Sequence, residues 1–495
     1  MKKRQLSHFL LPGAGAVLLL ALLITTAALP HSAAQTPSAP PAPASPAAAP
    51  VRSEAVPEAA ETDPASPLLL RYVQGIDGFF LPEKTCTRAE FAQILHNLGL
   101  SAPGSGAFAD VPAAAWYAPA VAGISGILEG YDDHTFRPAQ AITLAELTVI
   151  HCRVLGVETD AAAEGEAWYA PAWRAAAALG WHDALEGAEP ETPAQRWMVV
   201  SITNRALGRT PDEAAIDALE GLRFLDLAPG DRAYYDIIEA ASTHDAAWSA
   251  KTRELPAVTP GLHQAGSELA FVQPDGALCT TPGLLNLNGE TYLVQSNGRI
   301  AADGAIHLVD GAPVYCQADG TLLKNGGWHD FYFDAQGRYT SGDAKLDESV
   351  EAILAAVTTP EMTDLEKLRA CYDHVRAYGY LGRNATISDK TMPRDKAIGY
   401  ANKIYDTGKG DCYNFAAAFY FLAKRLGYDA TAVVGRCAYS WGTVSHGWVE
   451  IPMDGAVYLF DPQIENYNIR RGISNAGHSA FRVTYETATG TYFKN

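Results

Sequence analysis

The spacing of apolar and polar positions changes along the chain, and a clear helical period occurs late in the sequence. In KGDCYNFAAAFYFLAKRLGYDA, residues 409–430, apolar side chains recur at helical spacing from Phe415 to Leu426. Asp411 is a typical helix N-cap residue, and Gly427 is typical of a helix end. The pattern therefore predicts a helix whose first turn contains Cys412.

Three strands are predicted to follow this helix. The segments ATAVVGRCAYS, SHGWVEIPM and AVYLFDPQ are rich in strand-forming residues, and Asp454-Gly455 predicts a tight turn between the last two. With a two-residue turn, His446 faces Gln463, and Asp461 is its diagonal neighbour on the same face. We therefore expect an imidazole beside a carboxylate, whereas a register shift of one residue would separate them.

An earlier region contains an internal repeat. WYAPA occurs at 116–120 and again at 168–172, a spacing of 52 residues. TRAEFAQIL from Thr87 is echoed by TLAELTVIH from Thr143 and by TPAQRWMVV from Thr192. A threonine followed three positions later by Glu or Gln is the pattern of a helix capping box, which by itself accounts for the motif. The region predicts several loop-and-helix units that bury their apolar faces together.

Between residues 265 and 343 the pattern changes to short strands separated by turn dipeptides. Asp275-Gly276, Asn297-Gly298 and Asp319-Gly320 recur every 22 residues, and Gln336-Gly337 follows them. Such dipeptides between alternating strands are a strong hairpin signal. We predict a series of β-hairpins stacked on aromatic residues.

The N-terminal residues have a different composition. Basic residues at 2–4 precede an apolar run that ends in small residues, which predicts a secretory signal peptide over 1–34. An uncleaved membrane anchor is the alternative. Residues 35–66 are nearly all Ala, Pro, Ser, Glu and Thr, which predicts a disordered linker. The further domains are expected at 67–250 (helical repeats), 265–343 (β-hairpins) and 346–495 (a separate C-terminal domain).

Charge and cysteine content exclude some classes of function. The chain of 495 residues has 56 acidic and 37 basic side chains, a net charge of −19. An acidic protein without a basic stripe is not expected to bind nucleic acid. Its seven cysteines are scattered without the spacing of a metal site or a dense disulfide scaffold. No motif for a metal or an organic cofactor occurs, so no cofactor is expected.

The repeats carry a family resemblance. FADV, WYAPAV and GILEGYDDHTFRPAQAITLAE, read in this order, resemble the S-layer homology repeat, and residues 68–245 resemble about three such units. The resemblance implies binding to anionic, pyruvylated polysaccharides of a Gram-positive-type cell wall. Thr87, Arg88 and Glu90 would contribute to that site, with the arginine pairing the anionic sugar. The arginine is replaced by Leu144 in the second motif and by Pro193 in the third.

The hairpin region also resembles a known family. GWHDFYFDAQGRYTSGD is similar to the cell-wall or choline-binding repeat of surface proteins. In that family, aromatic side chains of adjoining hairpins form ligand cages. Trp328, Tyr332 and Phe333 therefore have two interpretations, as ligand-binding residues or as packing residues of a spacer.

Cys412 is a candidate nucleophile because of its position at a helix start. Unpaired N–H groups and the helix dipole favour the thiolate there and can also stabilise an oxyanion. A nucleophilic cysteine needs a base and a group that orients the base, and His446 and Asp461 are the candidates. Taken singly, each of the three residues also has an ordinary structural interpretation.

Together the three positions resemble the transglutaminase-like superfamily, whose pattern is Gly-x-Cys in a helix, His-x-Trp on a strand, then Asp-Pro. The matching residues are Gly410-Asp411-Cys412, His446-Gly447-Trp448 and Asp461-Pro462, within a resemblance over about 350–470. It implies that Cys412 attacks an amide or ester carbonyl, His446 transfers the proton and Asp461 orients the imidazole. The Cys412 N–H would stabilise the oxyanion, with Tyr405 as a candidate second donor.

The sequence thus predicts a multidomain protein with α-helical S-layer homology repeats, a β-hairpin repeat module and an α+β, papain-like C-terminal domain. The expected function is that of an exported, cell-wall-associated cysteine enzyme, a peptidase, amidase or transamidase. Its expected partners are a wall polysaccharide or peptidoglycan and a peptide or protein substrate. The alternative is a non-catalytic surface protein in which the C-terminal domain is a scaffold.

Overall fold

The structure is a computed structural model. It describes residues 68–495 except for 101, 103, 105–106, 129, 383–388, 440–441, 474–478 and 489. The signal peptide predicted over 1–34 and the linker predicted over 35–66 lie outside the described residues. Within the described ranges, no helix is long and apolar enough to cross a membrane.

The first region is helical and packs around one apolar core that includes Phe91, Phe136 and Trp197. Short helices alternate with turns, as the repeat pattern predicts. The helices are α1 (Arg88–Asn97), α2 (Ala118–Ile124), α3 (Leu144–Val154), α4 (Ala170–Ala178), α5 (Arg196–Ala206), α6 (Glu213–Asp217) and α7 (Tyr234–Ala241).

Three equivalent backbone hydrogen bonds relate α1, α3 and α5 by a pseudo-threefold arrangement. The Ile142 amide donates to the Cys86 carbonyl, Cys86 donates to Ala194, and Ala194 donates back to Ile142, at 3.0, 2.8 and 2.8 Å. These three residues lie two positions before the first residue of α3, α1 and α5. The ring of bonds fixes the three helix starts around a common axis.

The N-caps of these helices correct one expectation. Thr87 and Thr143 form the predicted capping boxes with Glu90 and Glu146. The third helix, however, begins at Arg196 after Gln195, whose side chain makes no cap bond. The helix cap predicted at Thr192 is therefore wrong by three residues. The N-cap of α5 is Gln195, which directly follows Ala194 of the hydrogen-bonded ring.

The third repeat is assembled from both ends of the helical region. The Asp110 carboxylate accepts the Phe136 and Arg137 amides at 2.7 and 2.8 Å. The Asp226 carboxylate makes the equivalent bonds, at 2.7 and 2.6 Å, to the amides of residues 80 and 81, far back in the sequence. Residue 72 also donates its amide to the carbonyl of Ala240 in α7. The helical domain is thus closed on itself.

Four antiparallel two-stranded hairpins follow, and short bridges join each to the next. The hairpin loops are at Gly266, Gly289, Gly311 and Asp330, between the paired strands. The predicted Asp-Gly and Asn-Gly dipeptides form a second set of turns, where the chain crosses to the next hairpin. The strands are β1 (Gly261–Ala265), β2 (Glu268–Val272), β3 (Gly283–Leu287), β4 (Glu290–Val294), β5 (Ala305–Val309), β6 (Ala312–Cys316), β7 (Gly326–Trp328) and β8 (Phe331–Phe333).

The C-terminal domain is α+β, as predicted. Its four-stranded antiparallel sheet has the order β13-β12-β11-β14, and its helices pack around α11. Helix α11 is buried on all sides from Cys412 to Lys424, because helices and the sheet surround it. The elements are α8 (Ala344–Val357), α9 (Asp364–Arg376), β9 (Gly379–Tyr380), α10 (Arg394–Thr407), β10 (Lys409–Gly410), α11 (Cys412–Arg425), β11 (Thr431–Tyr439), β12 (Gly442–Met453), β13 (Ala456–Phe460), α12 (Pro462–Arg470) and β14 (Thr491–Lys494).

Candidate active site

Cys412 is the first residue of α11, and its position is fixed by the helix cap. The Asp411 carboxylate accepts the amides of Tyr413 and Asn414 at 3.1 and 3.3 Å. The Asn414 side-chain oxygen accepts the Asp411 amide at 2.9 Å, and its side-chain nitrogen donates to the Tyr400 carbonyl of α10 at 2.8 Å. Because the Tyr413 and Asn414 amides are already used, the Cys412 N–H is the first-turn donor suited to an oxyanion.

His446 lies on β12 and meets both Cys412 and Asp461. Its Nε2 is 2.5 Å from the Asp461 Oδ2, and the Cys412 side chain lies near enough to act electrostatically on the imidazole. All three residues are at most 2% exposed. Since Nε2 faces the carboxylate, Nδ1 is the ring nitrogen left for the thiol.

The protonation of His446 is set by these partners. Burial alone would lower its pKa, but the Asp461 carboxylate and the Cys412 side chain reverse that effect and raise the pKa of His446 well above its ordinary value. A buried imidazolium is stable only beside compensating negative charge. The arrangement therefore favours a charged His446 in contact with the cysteine.

Asp461 reaches His446 by a route that differs from the predicted one. The two-residue turn and its register are as predicted, and β12 pairs with β13 as far as Phe460. Asp461 then becomes the N-cap of α12, and Gln463 lies in that helix instead of opposite His446. The strand ends there because Pro462 cannot donate to the ladder and suits the first position of a helix.

Four donors fix the Asp461 carboxylate. Oδ1 accepts the amides of Gln463 and Ile464 at 3.1 and 3.0 Å. Oδ2 accepts the hydroxyl of Tyr492 at 2.8 Å in addition to His446. Tyr492 lies on β14 and was not identified from the sequence, since no motif marks it and it is 31 residues from Asp461.

A second layer of buried polar groups supports the backbone of Asp461. The Tyr372 hydroxyl of α9 donates to the Glu465 carboxylate at 2.6 Å and lies 3.0 Å from the Asp461 carbonyl oxygen. Glu465 is 1% exposed, and its other oxygen accepts from Arg376 at 2.8 Å. The start of α12 is thereby tied to α9, which restricts the movement of Asp461.

The structure does not place Tyr405 at the oxyanion position. Its hydroxyl donates to the carbonyl of Ala418 at 2.8 Å. Ala418 is six residues beyond Cys412 in α11, roughly 9 Å along the helix axis. Burial raises the pKa of Tyr405 well above its ordinary value, so the hydroxyl remains a donor to that carbonyl. Tyr405 therefore holds α10 against α11.

Arg88 lies in a cavity between the first two repeats. Its Nη1 is 2.9 Å from Glu146 Oε1, and its Nε donates to the Phe136 carbonyl at 2.9 Å. The cavity measures about 460 Å³ and is also lined by Tyr131 and by Trp168, which is 60% exposed. Thr87 and Glu90 make the capping box of α1 and bond to each other's backbone. The arginine thus lines a cavity, whereas its two motif neighbours cap the helix.

Arg196 is equivalent to Arg88 and was missed because the third motif was misaligned. Its Nε donates to the Phe80 carbonyl at 2.9 Å, as that of Arg88 does to Phe136. Its Nη2 donates to the carbonyl of Gln74, which lines a cavity of about 450 Å³ with the exposed Trp116. The first and third repeats therefore have an arginine as the first residue of the helix. In the second repeat the buried Leu144 takes that position.

The aromatic residues of the last hairpin contact the C-terminal domain. The Arg394 guanidinium of α10 lies 3.5 Å from the centre of the Tyr332 ring, and Lys424 of α11 lies 3.9 Å from that of Phe331. Trp328 stacks on Tyr315, with ring centres 4.7 Å apart. The cations over Tyr332 and Phe331 come from the protein itself, which favours the packing interpretation of this hairpin.

Comparisons with known families agree with this architecture. Residues 351–462 match the model of the transglutaminase-like superfamily, and residues 107–148 match that of the S-layer homology domain. The chain carries a transglutaminase-like domain. That match ends directly after Asp461 and includes Cys412 and His446. No curated protein matches the chain.

Solved structures resemble separate parts of the chain. The choline binding domain of Spr1274 from Streptococcus pneumoniae is 24% identical, with a TM-score of 0.15, over 17% of this chain and 95% of that one. Choline binding protein F from the same organism is 17% identical, with a TM-score of 0.16, over 17% and 28%. The periplasmic domain of TgpA from Pseudomonas aeruginosa is 14% identical, with a TM-score of 0.19, over 45% and 81%.

Proposed function

We propose that this protein is an exported, cell-wall-associated cysteine enzyme that acts on amide bonds. The observation that carries the proposal is the meeting of three buried groups, the Cys412 thiol, the His446 imidazole and the Asp461 carboxylate. A buried cysteine with a purely structural role has no need of a charged imidazole held by a carboxylate.

In the first half of the proposed reaction, Cys412 Sγ attacks the carbonyl carbon of an amide. The Cys412 N–H donates to the oxyanion that forms. When the tetrahedral intermediate collapses, the C–N bond breaks and His446 gives its Nδ1 proton to the leaving amine. The product is a thioester on Cys412 and a neutral imidazole, which Asp461 keeps oriented through Nε2.

In the second half, water or an amine attacks the thioester carbonyl and gives its proton to His446. The C–S bond then breaks, Cys412 leaves as a thiolate, and His446 keeps the proton, which restores the thiolate–imidazolium pair. Water yields hydrolysis, as in a peptidase or amidase, and an amine yields transamidation. The reaction needs no metal or organic cofactor. The proposed substrate is a peptide or protein in the wall, with no role for nucleic acid.

The S-layer homology domain indicates attachment to the cell surface. We propose that Arg88 and Arg196 pair with anionic groups of a wall polymer. Arg88 lines a cavity with the exposed Trp168, and Arg196 bonds to Gln74, which lines the cavity of the exposed Trp116. A tryptophan at such a cavity can stack on a sugar ring. Attachment would hold the C-terminal domain near its substrate. The two arginines and the two tryptophans occupy equivalent positions of the pseudo-threefold arrangement.

The proposed chemistry is tested by the pH dependence of alkylation at Cys412. Of the seven cysteines only Cys279 is partly exposed, so the background variant is Cys279→Ser. Iodoacetamide labelling of Cys412, located by mass spectrometry, is expected to be fast already at about pH 6, because the imidazolium stabilises the thiolate. His446→Ala should slow it by about 100-fold at that pH. Slow labelling with an ordinary thiol profile in both variants would favour the non-catalytic surface protein.

A further inference from the structure

We propose that Tyr492 is a positioning residue of the candidate active site, through its bond to Asp461. Its hydroxyl donates to Asp461 Oδ2 at 2.8 Å, the same oxygen that faces His446 Nε2 at 2.5 Å. Tyr492 thus shares the charge of that oxygen with the imidazole and sets how strongly the imidazolium is held. The proposal deepens the proposed function and rests on it for its role in turnover.

Strand β14 delivers this hydroxyl to the site. It pairs with β11 at one edge of the sheet, with Tyr492 opposite Cys437. Tyr492 is 8% exposed, whereas the next residue, Phe493, points to the other face and is 44% exposed. The Tyr492 ring is 5.1 Å from that of Trp448 and 6.0 Å from that of His446, measured between ring centres. The ring therefore covers the Asp461–His446 contact on the side of β14.

The other charged groups around the pair are themselves paired. Glu465 of α12 bonds to Arg376 of α9 at 2.8 Å, and Glu450 of β12 bonds to Lys494 of β14 at 2.8 Å. From α11 the facing group is Cys412, and from α9 it is the Tyr372 hydroxyl, which binds the Asp461 carbonyl. Tyr492 is therefore the neutral donor that acts directly on the carboxylate oxygen shared with His446.

The effect of this donor depends on the charge of His446. When the imidazole is neutral, the Asp461 carboxylate has no cationic partner at Oδ2, and the Tyr492 bond stabilises it strongly. When the imidazole is charged, the same bond contributes less. Tyr492 thus favours release of the His446 proton. An imidazolium that is held too tightly is a poor acid for the leaving amine, so loss of the hydroxyl should lower kcat and leave KM unchanged.

The test is an NMR titration of His446 in the full chain with ¹⁵N-labelled imidazoles, assigned by comparison with His446→Gln. In Tyr492→Phe the midpoint of His446 is expected to rise by about one pH unit, because the imidazolium becomes the single donor to Oδ2. Replacement of Tyr492 by 3-fluorotyrosine, a stronger donor of the same shape, should lower the midpoint. Opposite shifts of this kind would not arise from packing alone.

Tyr458→Phe is the matched control, since it deletes a hydroxyl from β13 of the same sheet and should leave the midpoint in place. An unchanged midpoint in Tyr492→Phe, or shifts in the same direction in both Tyr492 variants, would overturn the proposal. If Tyr492→Phe does not fold, the fluorotyrosine variant alone decides.

The same titration in a Cys412→Ala background, taken together with alkylation of Cys412 in the protein that retains it, separates this proposal from the proposed enzyme function. A shifted midpoint together with an unreactive Cys412 would retain the positioning role and reject the enzyme. A reactive Cys412 together with an unmoved midpoint would retain the enzyme and reject the role of Tyr492.

Discussion

Helices α1 and α11 begin with the same local structure but present different chemistry. Each follows a capping box, formed by Thr87 with Glu90 in one case and by Asp411 with Asn414 in the other. The residue directly after the cap is buried in both helices, Arg88 in α1 and Cys412 in α11. The cap thus fixes where the first side chain of the helix lies.

The partners of these two side chains account for the difference. Arg88 meets the carboxylate of Glu146, a residue from the next repeat, at the edge of an open cavity. Cys412 meets His446 and, behind it, Asp461, in a site closed by α12 and β14. An open cavity with a guanidinium suits binding of an anion, whereas a closed site with a thiol and an imidazolium suits covalent chemistry. The same helix start thus places an arginine at a cavity in one helix and a cysteine beside an imidazole in the other, according to what the tertiary structure brings next to it.

The largest expected effect is at the start of α11 in the C-terminal domain. Cys412→Ala should reduce turnover of a peptide amide by at least roughly 10³-fold, because the thioester cannot form. Cys371→Ala, a buried cysteine of α9, is the control and should retain activity. Turnover that survives in Cys412→Ala would show that Cys412 is not the nucleophile.

Removal of the carboxylate behind His446 should have the next largest effect. In Asp461→Asn the attraction that raises the pKa of His446 is lost, and burial then lowers that pKa. The imidazole would be neutral at pH 6 to 7, and alkylation of Cys412 near pH 6 should slow by about 100-fold, with a smaller loss at alkaline pH. The rate is measured from pH 5 to pH 9, and parallel profiles for wild type and variant would contradict the proposed ion pair.

The arginine sites are expected to show a moderate effect. Arg88→Ala and Arg196→Ala should each weaken retention on purified cell wall by about 10-fold, the loss expected for one charge-assisted hydrogen bond. Arg153→Ala, an exposed arginine of α3 whose side chain bonds to the Ile127 carbonyl, is the control. Co-sedimentation measures the bound fraction. Retention that depends on Arg88 alone would mean that Arg196 does not take part in binding.

The smallest expected effect comes from removing the N-cap side chains of two helices, α3 and α11. Thr143→Ala should lower the free energy of unfolding by about 1 kcal/mol, the usual contribution of an N-cap side chain, with no change at Cys412. Asp411→Ala should cost a similar amount and in addition slow alkylation of Cys412, because the first turn of α11 is no longer fixed. Urea unfolding and alkylation rates measure the two quantities. Equal alkylation rates in both variants would mean that the cap of α11 has only a structural role.

Much of the local structure was predictable, because it depends on short-range patterns. The helix that begins at Cys412, its Asp411 cap, the tight turn at Asp454 and the capping boxes at Thr87 and Thr143 all follow from neighbouring residues. The third repeat was misread for the same reason. Its Thr192 looks like a cap, but the backbone ring of the threefold arrangement places the helix start at Arg196.

By itself, the sequence determined the division into helical repeats, hairpins and an α+β domain, and it identified Cys412, His446 and Asp461 as a set. Only the tertiary structure decided how Asp461 reaches His446, that Arg196 corresponds to Arg88, that Tyr405 belongs to a helix contact and that Tyr492 bonds to the carboxylate. The physical reason is the distance along the sequence over which each feature is determined. Caps, turns and periodicity are set within a few residues, whereas these contacts join segments 13 to 58 residues apart or relate separate repeats. Such contacts exist only once the core has packed.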